Sequence, residues 1–139
     1  MTQTIITGVD GSQPAHEAAL TAARITRAFG GTLHVVSVFD PHPDRGAREA
    51  GFDPALAAER VSAAEAQKLV EAFPGLSAVS VAEAGKPAET LVRVAESLDA
   101  DLIVVGNRRL KGLGRLIGSI ASEVAAKAPC DVYVAHTHD

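Results

Sequence analysis

Ile5-Ile6-Thr7-Gly8-Val9 and Leu33-His34-Val35-Val36-Ser37-Val38-Phe39, one helix's length apart, decide the fold of this chain. Both stretches are rich in β-branched residues and nearly continuous in apolar character, the pattern of strands covered on both faces. Between them Ala15, Ala18, Ala19, Ala22, Ile25 and Phe29 recur at helical spacing, with Ser12 at the N-cap position, Pro14 in the first turn and Gly30-Gly31 as the stop. A buried strand, a helix and a second buried strand form the crossover unit of a parallel sheet.

The alternation continues to the C-terminus. A polar loop is expected over Asp40 to Phe52, then a helix from Asp53-Pro54 to just before Pro74, with Ala58, Val61, Ala64, Leu69 and Ala72 facing inward. Ser77 to Ala82 reads as a weaker strand, punctuated by Gly85-Lys86-Pro87, and Ala88 to Leu98 as a helix presenting Leu91, Val94, Ala95 and Leu98. Asp101-Leu102-Ile103-Val104-Val105 is the most apolar strand and is expected at the sheet centre. A glycine-dotted loop leads to a helix over Ser119 to Lys127, Pro129 breaks it, and Asp131 to Ala135 is the last strand; the tail His136-Thr137-His138-Asp139 is expected to fray. Five strands alternating with four helices predict one α/β domain over residues 1–139, a doubly wound parallel sheet with helices on both faces. Ligands of such sheets bind beyond the carboxyl ends of the strands, where the strand order reverses.

Composition narrows the function classes. The 139 residues carry 13 Lys+Arg against 17 Asp+Glu and only five aromatic rings (four Phe, one Tyr), the wrong balance for a general nucleic-acid binder. Cys130 is the single cysteine, so no internal disulfide forms, and with no paired histidine or second cysteine nearby to argue for nucleophilic catalysis it reads as a small hydrophobe. The longest unbroken apolar run, Leu102 to Val105, falls far short of the ~20 residues of a membrane span. Met1 to Thr4 shows no basic and apolar leader, so the chain is expected in the cytoplasm without a membrane partner.

Two places could carry chemistry. In Gly8-Val9-Asp10-Gly11-Ser12 a carboxylate leaves a strand just before a helix begins; Asp10 either contacts a ribose or a metal ion, or simply forms the turn that Ser12 caps. In Gly106-Asn107-Arg108-Arg109-Leu110-Lys111-Gly112-Leu113-Gly114-Arg115-Leu116-Ile117-Gly118-Ser119, four glycines and four cations occupy fourteen positions between a buried strand and a helix start. Glycines let backbone N–H groups approach an anion, and the free N–H groups of Ser119, Ile120 and Ala121 add a positive helix end, which suits phosphate. The segment is not a Walker loop, since no Gly-Lys-Ser/Thr occurs, and it is a poor dinucleotide fingerprint. A solvated basic loop is the plain alternative. His136 and His138 could pair on a metal, but a frayed tail is the simpler reading.

Taken together, Ile6 to Ser12, Val35 to Phe39, Gly85-Lys86-Pro87-Ala88-Glu89, Asp101 to Gly106, Gly118-Ser119 and Ala128-Pro129-Cys130 resemble, in order and over the whole length, the universal stress protein family in its small single-domain form. The resemblance implies strand order 3-2-1-4-5, a homodimer through the last strand (Asp131 to Ala135), and in one branch an ATP site between strands one and four. By position, Asp10 would face ribose and Mg2+, Val9 would stand beside it, Val38 would line the adenine pocket, and Gly106, Gly118, Ser119 and Ile120 would hold phosphate, with Asn107, Arg108, Arg109 and Gly112 in the same loop. The ATP-binding branch is marked by glycine, two residues, glycine, nine residues, then glycine and Ser or Thr. Here Arg109 stands at the second glycine and only eight residues, Leu110 to Ile117, precede Gly118. Either Arg109 fills the phosphate space or its guanidinium grips phosphate directly.

The expected function is a stress-response module binding ATP; the alternative is an interaction module that binds no nucleotide and offers the loop to an unknown protein partner. A slow ATPase would have Asp10 as its one evident base. The two fates of Arg109 have opposite signatures in calorimetric titration. If it grips phosphate, affinity falls with added salt and Arg109→Gly weakens binding; if it blocks the site, Arg109→Gly creates binding where none was measurable.

Overall fold

β1 (Thr4–Val9) is the central strand of a five-stranded sheet, paired in parallel with β2 (Thr32–Phe39) on one side and with β4 (Leu102–Gly106) on the other. β3 (Ser77–Ala84) extends the β2 side and β5 (Asp131–Ala135) the β4 side, also in parallel, giving the order β3-β2-β1-β4-β5. A computed structural model describes residues 3–107 and 118–137. Among them no helix is long and apolar enough to cross a membrane.

The near-continuous hydrophobicity of the inner strands has its cause in two covered faces. Ile5, Leu33, Val35 and Val104 pack on one side beneath α1 (Gln13–Phe29) and α3 (Pro54–Ala72), where Ala18, Ala19, Ala22 and Leu69 are buried. Ile6, Val36, Ile103 and Val105 pack on the other beneath α4 (Pro87–Leu98) and α5 (Ser119–Lys127), against Leu91, Val94, Ala95, Ala121 and Val124. Small residues on α1 let it lie close to the sheet. Its ends are as expected: the Ser12 hydroxyl accepts from the Ala15 N–H, Pro14 sits in the first turn, and Gly30 closes the helix at φ +76.

Several expectations are corrected. The most apolar strand, β4, flanks the centre, which β1 occupies; both are buried on both faces, so composition cannot rank them. A short helix, α2 (Arg45–Glu49), interrupts the expected loop, capped by Asp44 accepting from the Ala47 N–H and braced by an Arg45–Glu49 pair at 3.0 Å. On α3 the inward face is Ala58, Ser62, Glu65 and Leu69, at spacing 4, 3, 4, whereas Ala64 and Ala72 are exposed. Choosing apolar residues there gave a face rotated from the true one, because a buried acid had found a partner. Phe29 and Leu98, expected inside, are 58% and 40% exposed; each is the last residue of its helix, where the chain turns away into the next connection.

His34 sits on β2 between Ile6 and Val79, and burial lowers its pKa below the usual 6.5. Protonation then costs more in the folded chain than in the unfolded one, so stability is complete above the unfolded value and falls as pH drops below it. His34→Gln should reduce the loss of thermal midpoint between neutral pH and about pH 5. An equal loss in the variant, measured by circular dichroism, would remove His34 as the cause.

Candidate functional site

The chain builds from β1 outward to β2 and β3, then crosses to the far side for β4 and β5, so the connections leaving β1 and β4 part company at their carboxyl ends. A cleft of about 470 Å3 opens there, within the size range of small-molecule sites. Val36 and Val38 of β2, with Pro87 and Leu91 of α4, give it an apolar slot; Val9 and Asp10 end β1, Val105 and Gly106 end β4, and Gly118, Ser119 and Ile120 open α5. Ser12, Pro14 and Ala15 of the first turn of α1 and Thr137 of the C-terminal segment complete the walls.

Helix starts at the cleft are of two kinds. At α1 side chains already cap the turn: Asp10 Oδ1 accepts the Ser12 N–H at 2.9 Å, Gly11 turns at φ +84, and the Ser12 hydroxyl accepts from Ala15. α4 and α5 have no side-chain cap, with Lys86 and Gly118 at their cap positions. α4 opens on Pro87, which has no N–H to offer, and carries Glu89 in its first turn, so it is α5, with Gly118, Ser119 and Ile120 at the cleft, whose first N–H groups and positive dipole end are available to an anion. Away from the cleft, α3 is capped by Asp53 accepting from Ala55 and Leu56.

Two glycines of the cleft are closely packed. A Cβ at Gly8 would lie 3.1 Å from Leu91 Cδ1, and one at Gly106 would lie 3.0 Å from Thr137 Cγ2 and 3.6 Å from Ala18 Cβ. Gly8 thus lets α4 settle onto the sheet, and Gly106 lets the C-terminal segment cross the end of β4.

Of the residues singled out from sequence, Val9, Asp10, Val38, Gly106, Gly118, Ser119 and Ile120 line this one cleft. Asn107 is not among the lining residues, and its side chain is engaged with Thr137. Arg108, Arg109 and Gly112 lie outside the described residues, as does His138. Asp10 both faces the cleft and forms the turn, so its two readings are compatible. Sequence reasoning missed Val36, Pro87, Leu91 and Thr137. Val36 shares a strand face with Val38 at spacing two, a signal that was present; nothing in the tail marked Thr137, which is only 5% exposed rather than frayed.

Behind the Asp10–Ser12 turn, a second cavity of about 290 Å3 holds another feature that sequence reasoning passed over. His16 Nδ1 meets Glu65 Oε1 at 2.7 Å, joining α1 to α3 through a carboxylate that is almost wholly buried. The pair explains how an acid occupies the inner face of α3. Cys130 is half-buried; burial, with Asp131 and Asp101 nearby, pushes its thiol pKa up and keeps it protonated at neutral pH. Among the described residues no three His, Cys, Asp or Glu side chains gather to hold a metal.

The sequence profile of the universal stress protein family matches residues 1–136. The chain belongs to that family. A Thermus aquaticus universal stress protein is 36% identical over 134 residues, covering 95% of this chain and 97% of the relative. A Mycobacterium tuberculosis universal stress protein is 31% identical over 150 residues, covering 97% of each chain. Among solved structures, a universal stress protein in complex with cAMP superposes with a TM-score of 0.75 at 29% identity, covering 99% of this chain and 98% of that one. The Archaeoglobus fulgidus universal stress protein in complex with dAMP shares the fold, with a TM-score of 0.72 at 20% identity over 96% of this chain and 97% of that one. The five-stranded parallel sheet of order 3-2-1-4-5 is therefore that of other universal stress proteins.

Proposed function

We propose that this chain binds an adenine nucleotide, ATP together with Mg2+, in the cleft between β1 and β4, and that it works as a homodimer joined through β5. The observation that carries the reading is the cleft's division into an apolar slot (Val36, Val38, Pro87, Leu91) and an end where uncapped α5 begins with Gly118 and Ser119. A purine suits the first and phosphate the second. The relative bound to cAMP, similar over nearly its whole length, supports an adenine nucleotide as the ligand class.

Mg2+ fits this site in a limited way. Asp10 has one oxygen bonded to Ser12, and among the described residues its other oxygen has no protein partner. Mg2+ is commonly held by one or two carboxylates plus substrate phosphates and waters, so Asp10 would be its protein ligand with the nucleotide completing the shell. Asp10 is also the sole carboxylate among the described lining residues, which favours a binding module over a hydrolase.

The dimer reading rests on the β5 edge. Among the described residues no strand pairs with its outer hydrogen-bonding row, Tyr133 is 48% exposed, and the strand contains no Pro or Lys. A second copy related by a two-fold axis would pair with that edge and cover both tyrosines.

Calorimetric titration with Mg-ATP, ATP alone, cAMP and AMP tests the ligand. Gly118→Ala should weaken nucleotide binding by at least ~1 kcal/mol, about fivefold, because it puts a methyl where backbone meets phosphate while leaving the sheet untouched. Equal affinity in variant and wild type overturns the placement, and no binding of any adenine nucleotide leaves the interaction-module reading in its place. For the dimer, light scattering at micromolar concentration should give two copies for the wild type and one for Tyr133→Lys, whose side chain is already half exposed in the single chain. A monomeric wild type would refute the interface.

A further inference from the structure

β5 ends at Ala135, and neither hydrophobicity nor turn chemistry in the residues beyond it calls for order. Thr137 is nonetheless buried and forms part of the cleft wall. Asn107, the residue after β4, accounts for this. Its backbone N–H donates to the Ala135 carbonyl at 3.0 Å, and its side-chain Oδ1 accepts the Thr137 N–H at 2.8 Å and the Thr137 hydroxyl at 3.4 Å. The Thr137 methyl then comes down onto Gly106, where a Cβ would stand 3.0 Å from it, beside Ala18 of α1.

We infer that Asn107 and Thr137 are positioning residues of the cleft: Asn107 latches the C-terminal segment across the end of β4 so that Thr137 closes the cleft on its α1 side, and this closure sets nucleotide affinity. The inference rests on the nucleotide reading of the cleft. An asparagine suits the task. It supplies the acceptor that a buried backbone N–H requires and carries no negative charge beside a site for an anion. With that acceptor removed, the Thr137 N–H would be stranded in a buried position, so the segment leaves for water rather than stay unpaired. The cleft then loses a wall next to Gly106.

Amide hydrogen exchange followed by NMR, together with titration of ATP, tests this. In the wild type the Thr137 amide should be protected. In Asn107→Ala that protection should vanish, the thermal midpoint should hardly move, and ATP affinity should drop about tenfold. Asn107→Asp keeps the acceptor, so it should restore Thr137 protection and, at high salt where its added charge is screened, most of the affinity; a merely structural role would not give that rescue. Thr137→Val, which keeps the N–H and the methyl contact, should bind better than Thr137→Gly, which loses the wall. An unprotected Thr137 amide in the wild type, wild-type affinity in Asn107→Ala, or no rescue by Asp overturns the latch. A wild type that binds no adenine nucleotide overturns the functional reading and this inference with it, whereas tight binding by the wild type and equally tight binding by Asn107→Ala overturns this inference alone.

Discussion

The rest of the molecule depends on burying β1 on both faces. Ile5 and Ile6 are adjacent in sequence, point to opposite sides of the sheet and are both fully buried, so helices must cover the sheet above and below. With parallel strands and right-handed crossovers, covering both faces requires the chain to leave β1 in one direction and return on its other side. α1 and α3 belong to the first excursion, and α4 and α5 to the second. The divergence at the ends of β1 and β4 is the geometric result, and the cleft is the space it leaves. A site there is a property of the winding before any side chain specialises it.

Specialisation then comes from how neighbouring elements end. Ser12 and Asp53 satisfy the first N–H groups of α1 and α3, while α4 and α5 open on Lys86 and Gly118 without side-chain caps. At α4 the missing cap costs less because Pro87 has no N–H to satisfy, whereas the bare start of α5 lies at the cleft, where a ligand can satisfy it. The glycines nearby have a double character. Gly8 and Gly106 sit close against Leu91 and Thr137, so their presence reflects tight packing of walls as much as approach to a ligand.

Most of the fold was legible in the sequence because strands covered on both faces and amphipathic helices leave different periodic marks. Ile5 to Val9, Leu33 to Phe39 and Leu102 to Val105 carry the first, and Ala18, Ala19 and Ala22 carry the second. Helix limits were readable where capping chemistry is local, as at Ser12, Gly30 and Asp53. The misreadings came where a partner distant in sequence changed the meaning of a residue. Ala64 and Ala72 read as the inner face of α3, whereas Glu65 takes a place there because His16, 49 positions away, lies against it. Phe29 and Leu98 continued an apolar stripe past the point where the sheet needed covering.

The same division holds for the site. Sequence by itself determined the chain's family, the α/β class, the place of Asp10 in a turn before α1 and the glycine-bounded start of α5, because each depends on contacts within a few residues or on a repeating pattern. Tertiary structure alone decided that Val36, Pro87 and Leu91 converge with Val38 on one slot and that Thr137 is part of the wall. Those outcomes depend on which strands become neighbours and on bonds such as Asn107 to Thr137, thirty positions apart. No local propensity encodes a contact of that separation; it exists only once β4 and β5 lie side by side.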